Sequence, residues 1–111
     1  MFSLNDTKMI ECPVMATVEA VGGRWKPRIL WALRQHVHGF GELRRATGAS
    51  SRMLAKSLQE LERDGLIERR VIAKGSITAS EYTYSSYGTS LIPVLDLMGT
   101  WGSAHQARIV K

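Results

Sequence analysis

The chain has 111 residues, 44% of them hydrophobic, which is enough for one domain with a modest core and too little for a second. Fifteen Lys and Arg against ten Asp and Glu give a formal net charge of +5 and a pI near 9.8, which favours a polyanionic partner over a neutral metabolite. The N-terminal residues show no signal-peptide pattern and no apolar run is long enough to span a bilayer, so we expect a cytoplasmic protein with no membrane partner.

Two short helices are predicted near the N-terminus. Pro13 can open the first, which runs to Val21 and ends at the break formed by Gly22 and Gly23. The second begins around residues 25–27 and turns three apolar side chains inward: Ile29, Leu30 and Leu33. Residues 36–39 are predicted to form a loop.

Residues 40–63 have the pattern of a helix-turn-helix. A short helix has an apolar stripe at Phe40, Leu43 and Ala46, and a sharp turn follows at residues 47–49. Ser50 is placed to cap a second helix from Ser51 to Arg63, which ends at Asp64-Gly65. Two helices this short must cross tightly to bury their apolar sides.

The second helix has two unlike faces. At about 100° per residue, four cationic or amide side chains lie within about 40° of one line. They are Arg52, Lys56, Gln59 and Arg63, and the opposite side carries Leu54, Leu58 and Leu61. An ordinary solvated surface helix would show the same pattern. The preceding helix and turn favour instead a recognition helix for duplex DNA.

Residues 67–84 are predicted to form a two-stranded hairpin with a turn at residues 74–76. Apolar and aromatic residues occupy its strand positions: Ile67, Val71, Tyr82 and Tyr84. Arg69, Arg70 and Lys74 could contact phosphates beside a recognition helix. An equally good interpretation is that they only protect an edge strand from aggregation.

A last helix capped by Ser85 or Ser86 is predicted after the hairpin. Its apolar residues recur at helical spacing and are Leu91, Val94, Leu95, Met98 and Trp101. The stripe is long for so small a domain, so we expect Leu91, Leu95, Met98 and Trp101 to form a homodimer interface. The alternative is packing against the chain's own core.

Cys12 is the only cysteine, which excludes an internal disulfide and makes a thiol-ligated metal site in one chain improbable. With Pro13 at the first helical position, Cys12 stands at the N-cap, where backbone N–H groups favour the thiolate. It is therefore a candidate redox or electrophile sensor. The alternative is a cysteine packed inertly in an interface.

No pattern in the chain predicts an enzyme, and we assign no catalytic residue, metal ligand or cofactor. His36 and His38 lack a third ligand at a suitable spacing, and these two and His105 are interpreted as solvated. Residues 22–26 lack the spacing of a phosphate-binding loop and are interpreted as a helix break. Core packing is predicted for most of Trp25, Trp31 and Trp101, with a ligand cavity as the alternative.

A set of motifs spread from Cys12 to Gly102 resembles the HxlR-type winged helix-turn-helix transcriptional regulators of the MarR-like superfamily. The motifs are Cys12-Pro13-Val14, Gly22 to Lys26 with Ile29-Leu30, Phe40 to Leu43, Met53-Leu54, Leu58 to Ile67, Glu81-Tyr82, Gly88, Leu91 to Leu95 and Trp101-Gly102. The resemblance implies a homodimer joined through its terminal helices, whose two recognition helices bind a pseudo-palindromic operator and repress or activate genes. It also implies that the Cys-Pro cysteine senses oxidants or electrophiles in some members. Residues 75–80 depart from the family pattern, which usually has prolines and a valine there.

The expected fold is therefore α+β and mainly α, a winged helix-turn-helix with N- and C-terminal dimerisation helices. We expect an N-terminal arm at residues 1–11, the winged domain at residues 12–102 and a C-terminal tail at residues 103–111. The predicted DNA-binding residues are Ser50, Ser51, Arg52, Lys56, Gln59, Arg69 and Lys74. The expected partners are double-stranded DNA, a second copy of the chain and a small oxidant or electrophile. The alternative is a winged-helix module that binds protein or RNA and senses nothing.

Overall fold

The computed structural model describes residues 12–36 and 38–109, and for Lys74 the backbone alone. The predicted arm, residues 1–11, lies outside these ranges, as do the last two residues of the chain. The elements are α1 (Pro13–Val21), α2 (Lys26–Leu33), β1 (His38–Gly39), α3 (Phe40–Thr47), α4 (Ser51–Arg63), β2 (Ile67–Lys74), β3 (Ile77–Tyr84), a 3-10 helix (Gly88–Leu91) and α5 (Ile92–Ile109). This order confirms the predicted mainly helical winged helix-turn-helix. In the described ranges no helix combines the length and the apolar character needed to cross a bilayer.

The first two helices have the predicted bounds but differ in burial. In α1 only Val21 is buried, so most of this helix lies on the surface. By contrast, α2 buries its predicted side chains completely or nearly so: Ile29, Leu30 and Leu33. Helix α2 is therefore central, and it contacts α3, α4 and β3.

Helices α3 and α4 cross through a turn that requires a left-handed residue. Gly48 has φ +77°, a conformation that a side chain would strain, and its N–H donates to the carbonyl of Arg44. Leu43 is fully buried and the buried Thr47 hydroxyl donates to its carbonyl at 2.7 Å. The predicted apolar stripe is wrong at Ala46, which is exposed, because the turn brings Thr47 and Ala49 inward instead.

The bounds of α4 match the prediction at both ends. The Ser50 hydroxyl accepts a hydrogen bond from the Met53 N–H at 3.2 Å, and Gly65 ends the segment with φ +76°. Leu54, Leu58 and Leu61 are at most 1% exposed. Burying a leucine stabilises a fold by roughly 1.5–3 kcal/mol, so these three residues fix how α4 lies on the domain.

The hairpin pairs antiparallel from Ile67 opposite Tyr84 to Lys74 opposite Ile77, with a two-residue turn between the strands. A third short strand extends the sheet to the order β1-β3-β2, since His38 pairs with Tyr82 and Gly39 with Glu81. Residues 38–39, predicted as loop, are therefore a strand. A two-residue strand has too little sequence pattern to be found without its partner.

His38 is not solvated as predicted. It is only 9% exposed, and its Nε2–H donates to the carbonyl of Ala32 at 2.8 Å, near the end of α2. His36 is exposed and its ring lies 4.0 Å from that of His38, between centroids. The Gly39 N–H donates to the Glu42 carboxylate at 2.9 Å, which lowers the pKa of Glu42.

The segment that follows the hairpin differs from the prediction at the start and at the end of its helix. The Ser85 hydroxyl does cap a turn, accepting from the Gly88 N–H at 2.8 Å, but that turn is the 3-10 helix, and α5 starts only at Ile92. The same hydroxyl donates to the carbonyl of Gly65 at 2.6 Å and so joins the end of α4 to the hairpin's exit. Residues 103–109, predicted as tail, continue α5.

Gly88→Ala should destabilise the domain, because a Cβ at this position would lie 1.8 Å from the carbonyl oxygen of Leu66. Relieving that clash requires a backbone shift costing about 1–3 kcal/mol, which lowers the Tm by roughly 4–15 °C. Gly41→Ala is the matched control, since its Cβ meets only the flexible Arg45 side chain at 3.6 Å. Equal Tm values for both variants in thermal unfolding would contradict this account.

Candidate nucleic-acid interface

The outward face of α4 is formed by Arg52, Lys56, Gln59 and Arg63, and all four side chains are exposed. The leucines lie on the opposite side, as predicted, so the charged side chains cannot turn inward without exposing the core. Ser51 is also exposed at the first turn. Ser50 is exposed too, and its oxygen already accepts from Met53, which leaves its O–H as a donor to an outside acceptor. The face therefore presents cations and hydrogen-bond donors together.

An ion pair holds α4 against α2. Lys26 Nζ lies 3.6 Å from Glu60 Oε1, and these side chains are 17% and 30% exposed. The pair marks the side of α4 that faces α2, and the outward face lies next to that side. Sequence reasoning interpreted Lys26 only as part of a helix break. Since 34 positions separate the two residues, no local spacing could have found the contact.

A groove of about 570 Å³ lies between α4 and the hairpin. It is lined by Phe40, Ala55, Leu58, Gln59, Glu62, Arg69, Ser80 and Tyr82. The structure thus brings two predicted DNA-binding residues, Gln59 and Arg69, to the same groove. Arg69 pairs with Tyr82 near the base of the hairpin, and it therefore lies beside α4 rather than at the basic tip.

The far end of the hairpin extends away from the core. Gly75 has φ +64° in the two-residue turn, and Val71 and Ile77 are 58% and 68% exposed. Arg70 lies opposite Glu81, on the face of the sheet away from that of Arg69. Lys74 ends β2 at this tip, but its side chain lies outside the described residues, and its phosphate contact stays a prediction.

Helices α1 and α5 each carry exposed apolar side chains, which are together called the apolar surface. Its members are Val14, Met15 and Val18 of α1 and Leu97, Met98 and Trp101 of α5. Two of the residues predicted for the interface belong elsewhere: Leu95 is 3% exposed in the chain's own core and Leu91 packs partly against it. The exposed part of α5 therefore excludes Leu95 and includes Leu97, which the predicted stripe omitted.

The tryptophans are less buried than expected for side chains that pack in the core. Trp101 is 68% exposed and stacks on the exposed His105 at 4.8 Å, and Trp31 is 44% exposed. A Cβ added to Gly99 would lie 2.7 Å from the Trp31 ring, so α5 approaches α2 closely at a glycine. Arg34 of α2 also pairs with Asp96 of α5, with 2.5 Å between Nη2 and Oδ1. Only Trp25 is half-buried against the core.

Tyr84 ties the hairpin to α2, since its hydroxyl donates to the carbonyl of Leu30. Burial raises the pKa of Tyr84 to about 12, and the group therefore stays a donor at any physiological pH.

Cys12 is partly buried at the N-cap of α1 and its carbonyl accepts from the Ala16 N–H at 3.1 Å. Among residues 12–36 and 38–109, no three His, Cys, Asp or Glu side chains are close enough to hold a metal ion.

Comparison with known proteins gives one consistent result. The model of the HxlR-like helix-turn-helix family matches residues 20–109. The chain is 39% identical over 101 residues to the uncharacterised HTH-type transcriptional regulator YdeP of Bacillus subtilis, covering 90% of this chain and 78% of that one.

Two solved structures add the geometry of the fold. The chain is similar to the redox regulator HypR in its reduced form, with TM-score 0.82 and 30% identity over 88% of this chain and 97% of that one. It is also similar to the reduced form of the transcriptional regulator YodB from B. subtilis, with TM-score 0.70 and 32% identity over 81% of this chain and 89% of that one.

Proposed function

The chain belongs to the HxlR-like helix-turn-helix family of transcriptional regulators, and we propose that it acts as a homodimer on a pseudo-palindromic DNA operator. The observation that carries this proposal is the outward face of α4. Its cationic and amide side chains lie directly opposite three fully buried leucines, next to the hairpin that forms the wing.

In this proposal α4 enters the major groove and Arg52, Lys56 and Gln59 contact base edges. Arginine and lysine pair with the two acceptors of guanine, and the glutamine amide pairs with adenine. Ser50, Ser51 and Lys74 contact phosphates, which fix the position of the protein but carry no sequence information. Arg69 lies beside Gln59 in the groove at the base of the wing, which suits a contact to the strand nearest the wing.

The homodimer is supported by the exposed apolar surface of α1 and α5. Leu97 and Trp101 are 72% and 68% exposed, and with Met98 they are close together along α5. Grouped exposure of this kind is typical of an interface. A two-fold pairing would cover this surface and place two copies of α4 on half-sites one helical turn apart.

Regulation through Cys12 is the most specific part of the proposal. Two structurally similar proteins support it: HypR is named a redox regulator, and YodB has been solved after diamide treatment, with TM-score 0.68 to this chain. Cys12 begins α1, next to Val14 and Met15 of the apolar surface. Modification of its thiol by an oxidant or a quinone would change how that surface packs, and so the spacing of the two copies of α4.

Arg52→Ala or Gln59→Ala should relax base preference and weaken operator binding by about 1–3 kcal/mol, because each removes a base contact. Lys74→Ala is the comparison, since a lost phosphate contact weakens all duplexes alike. Gel-shift titrations at stated salt, with DNA from upstream of the chain's own gene, measure both effects. Unchanged operator affinity of Arg52→Ala would show that this face of α4 does not enter the groove. Equal binding of RNA or no binding of DNA would favour the alternative module.

Leu97→Glu should dissociate the dimer, because it would bury a charge in an apolar interface, and light scattering would then report a monomer. Ile77→Glu is the matched control, since this side chain is equally exposed but lies on the wing. Leu95→Glu is unsuitable, because Leu95 belongs to the core and the variant would unfold. A Leu97→Glu protein that stays dimeric, or a monomeric wild type, would rule out this interface.

Cys12→Ser should bind the operator like the wild type under reducing conditions and ignore diamide or quinone, which should change wild-type binding. The chain has no second cysteine, so the expected product is a disulfide between subunits or an adduct. Mass spectrometry checks that the wild-type thiol has reacted. A modified thiol with unaltered operator binding would show that Cys12 is not the sensor.

A further inference from the structure

Two arginines flank one tryptophan at the start of α2. The guanidinium carbon of Arg24 lies 5.0 Å from the centroid of the Trp25 ring, and that of Arg28 lies 5.3 Å from it. Both arginines are exposed, whereas Trp25 is half-buried against the core. Cation–π contact with a fixed ring limits the freedom of both side chains, so their charges are held in place before any ligand arrives.

Arg28 also extends to the turn of the helix-turn-helix. Its Nη1–H donates to the carbonyl of Thr47, the last residue of α3, at 3.2 Å. Ser50, the N-cap of α4, is three residues further on, which corresponds to at most about 11 Å of chain. The guanidinium of Arg28 therefore contacts the turn that leads into the N-terminal end of α4. In the proposed complex that end of α4 enters the major groove first.

Helix α4 itself shows on which side this cluster lies. Glu60 pairs with Lys26 of α2, and Glu62 lines the groove toward the hairpin. At 100° per residue these two positions are about 160° apart around the helix, and the outward face lies between them. The start of α2 and the wing thus flank the outward face on opposite sides.

Among the described residues, the two arginines form no ion pair with an acid. In the part of the chain that the structure describes, neither Arg24 nor Arg28 has a carboxylate oxygen within 4.0 Å, whereas Lys26 and Arg34 do. Two guanidinium groups that share one ring are at most about 10 Å apart and repel each other unless an anion lies near. A phosphodiester group supplies that anion in a geometry that arginine binds well.

We propose that Arg24, Trp25 and Arg28 form a phosphate clamp, which binds the DNA backbone on the side of α4 opposite the wing. The clamp and the wing then hold the two strands that border one major groove, with α4 between them. This inference rests on the proposed function, because it concerns the same duplex. It adds a backbone contact on α2 to those proposed for α4 and the wing, at residues for which the sequence predicted no DNA contact.

The test is the salt dependence of DNA binding by Arg24→Gln and Arg28→Gln. Each phosphate contact contributes about 0.9 to the slope of log affinity against log salt concentration. Each variant should therefore lower that slope by about 0.9 and weaken binding about five- to tenfold at 0.1 M salt. The loss should be the same on DNA from upstream of the chain's own gene and on a duplex of arbitrary sequence.

Arg108→Gln is the matched control, because it removes the same charge from an exposed site and should leave the slope unchanged. Arg108 lies about 18 Å along α5 from Asp96, the residue through which α5 pairs with Arg34. Arg28→Gln also removes the hydrogen bond to Thr47, so its Tm is measured alongside. Arg28→Lys, which keeps the charge without the planar group, should restore most of the slope. Among the described residues, Arg24 has no hydrogen bond of this kind. A lowered slope in Arg24→Gln would therefore report the lost contact to DNA and not a structural change at the turn.

Unchanged slopes in both glutamine variants, with Lys74→Ala still lowering the slope, would overturn the clamp and leave the regulator intact. A slope lowered equally by Arg108→Gln would also overturn it, since the effect would then be net charge alone. A wild type that binds neither duplex would remove the proposed function and the clamp with it.

Discussion

The packing of α4 is the constraint on which the rest of the structure depends. Three leucines with almost no exposed surface fix its inner side, and the Lys26–Glu60 ion pair fixes one flank. A helix held in this way can present only one set of side chains to a partner, and here that set is cationic. The turn at Gly48 and the cap at Ser50 also set the position of this face, because they determine where α4 starts. The geometry of the outward face is therefore a product of core packing, and a mutation that loosens the core would also misalign the face.

Helix α2 connects this constraint to the rest of the molecule. It contributes Ile29 and Leu30 to the core, and its Leu30 carbonyl accepts from Tyr84 of the hairpin. Its outer side pairs with α5 through Arg34 and Asp96. One short helix thus contacts the helix-turn-helix, the hairpin and the helix that carries Leu97 and Trp101. Helix α2 therefore lies between α5 and α4 and contacts both.

Local patterns predicted most of the fold, and the errors have a common physical cause. The bounds of α1 and α4, the hairpin and its turn follow from caps, glycines and periodicity, which act over a few residues. Strand β1 was missed because it pairs with β3, whose residues are distant in the sequence: His38 lies opposite Tyr82 and Gly39 opposite Glu81. The burial of His38 was missed because its position in this sheet is not visible from its sequence neighbours. The same limit applies to the residues predicted for an interface: periodicity identified apolar residues on α5, but it cannot say which of them the domain's own core covers. Leu95 and Leu97 differ by two positions and have opposite environments.

The close approach of Trp31 to Gly99 has a further consequence. Glycine is the residue that lets α5 lie directly on the indole ring, so the volume at position 99 sets the distance between α5 and α2. In a two-fold assembly built on α5, a small tilt of this helix is doubled across the symmetry axis and carried to both DNA-contacting ends. A substitution at position 99 would then change the separation of operator half-sites that such a protein accepts, although this position touches neither DNA nor effector. Related regulators would in this way differ in target choice while they keep the same base-contacting residues.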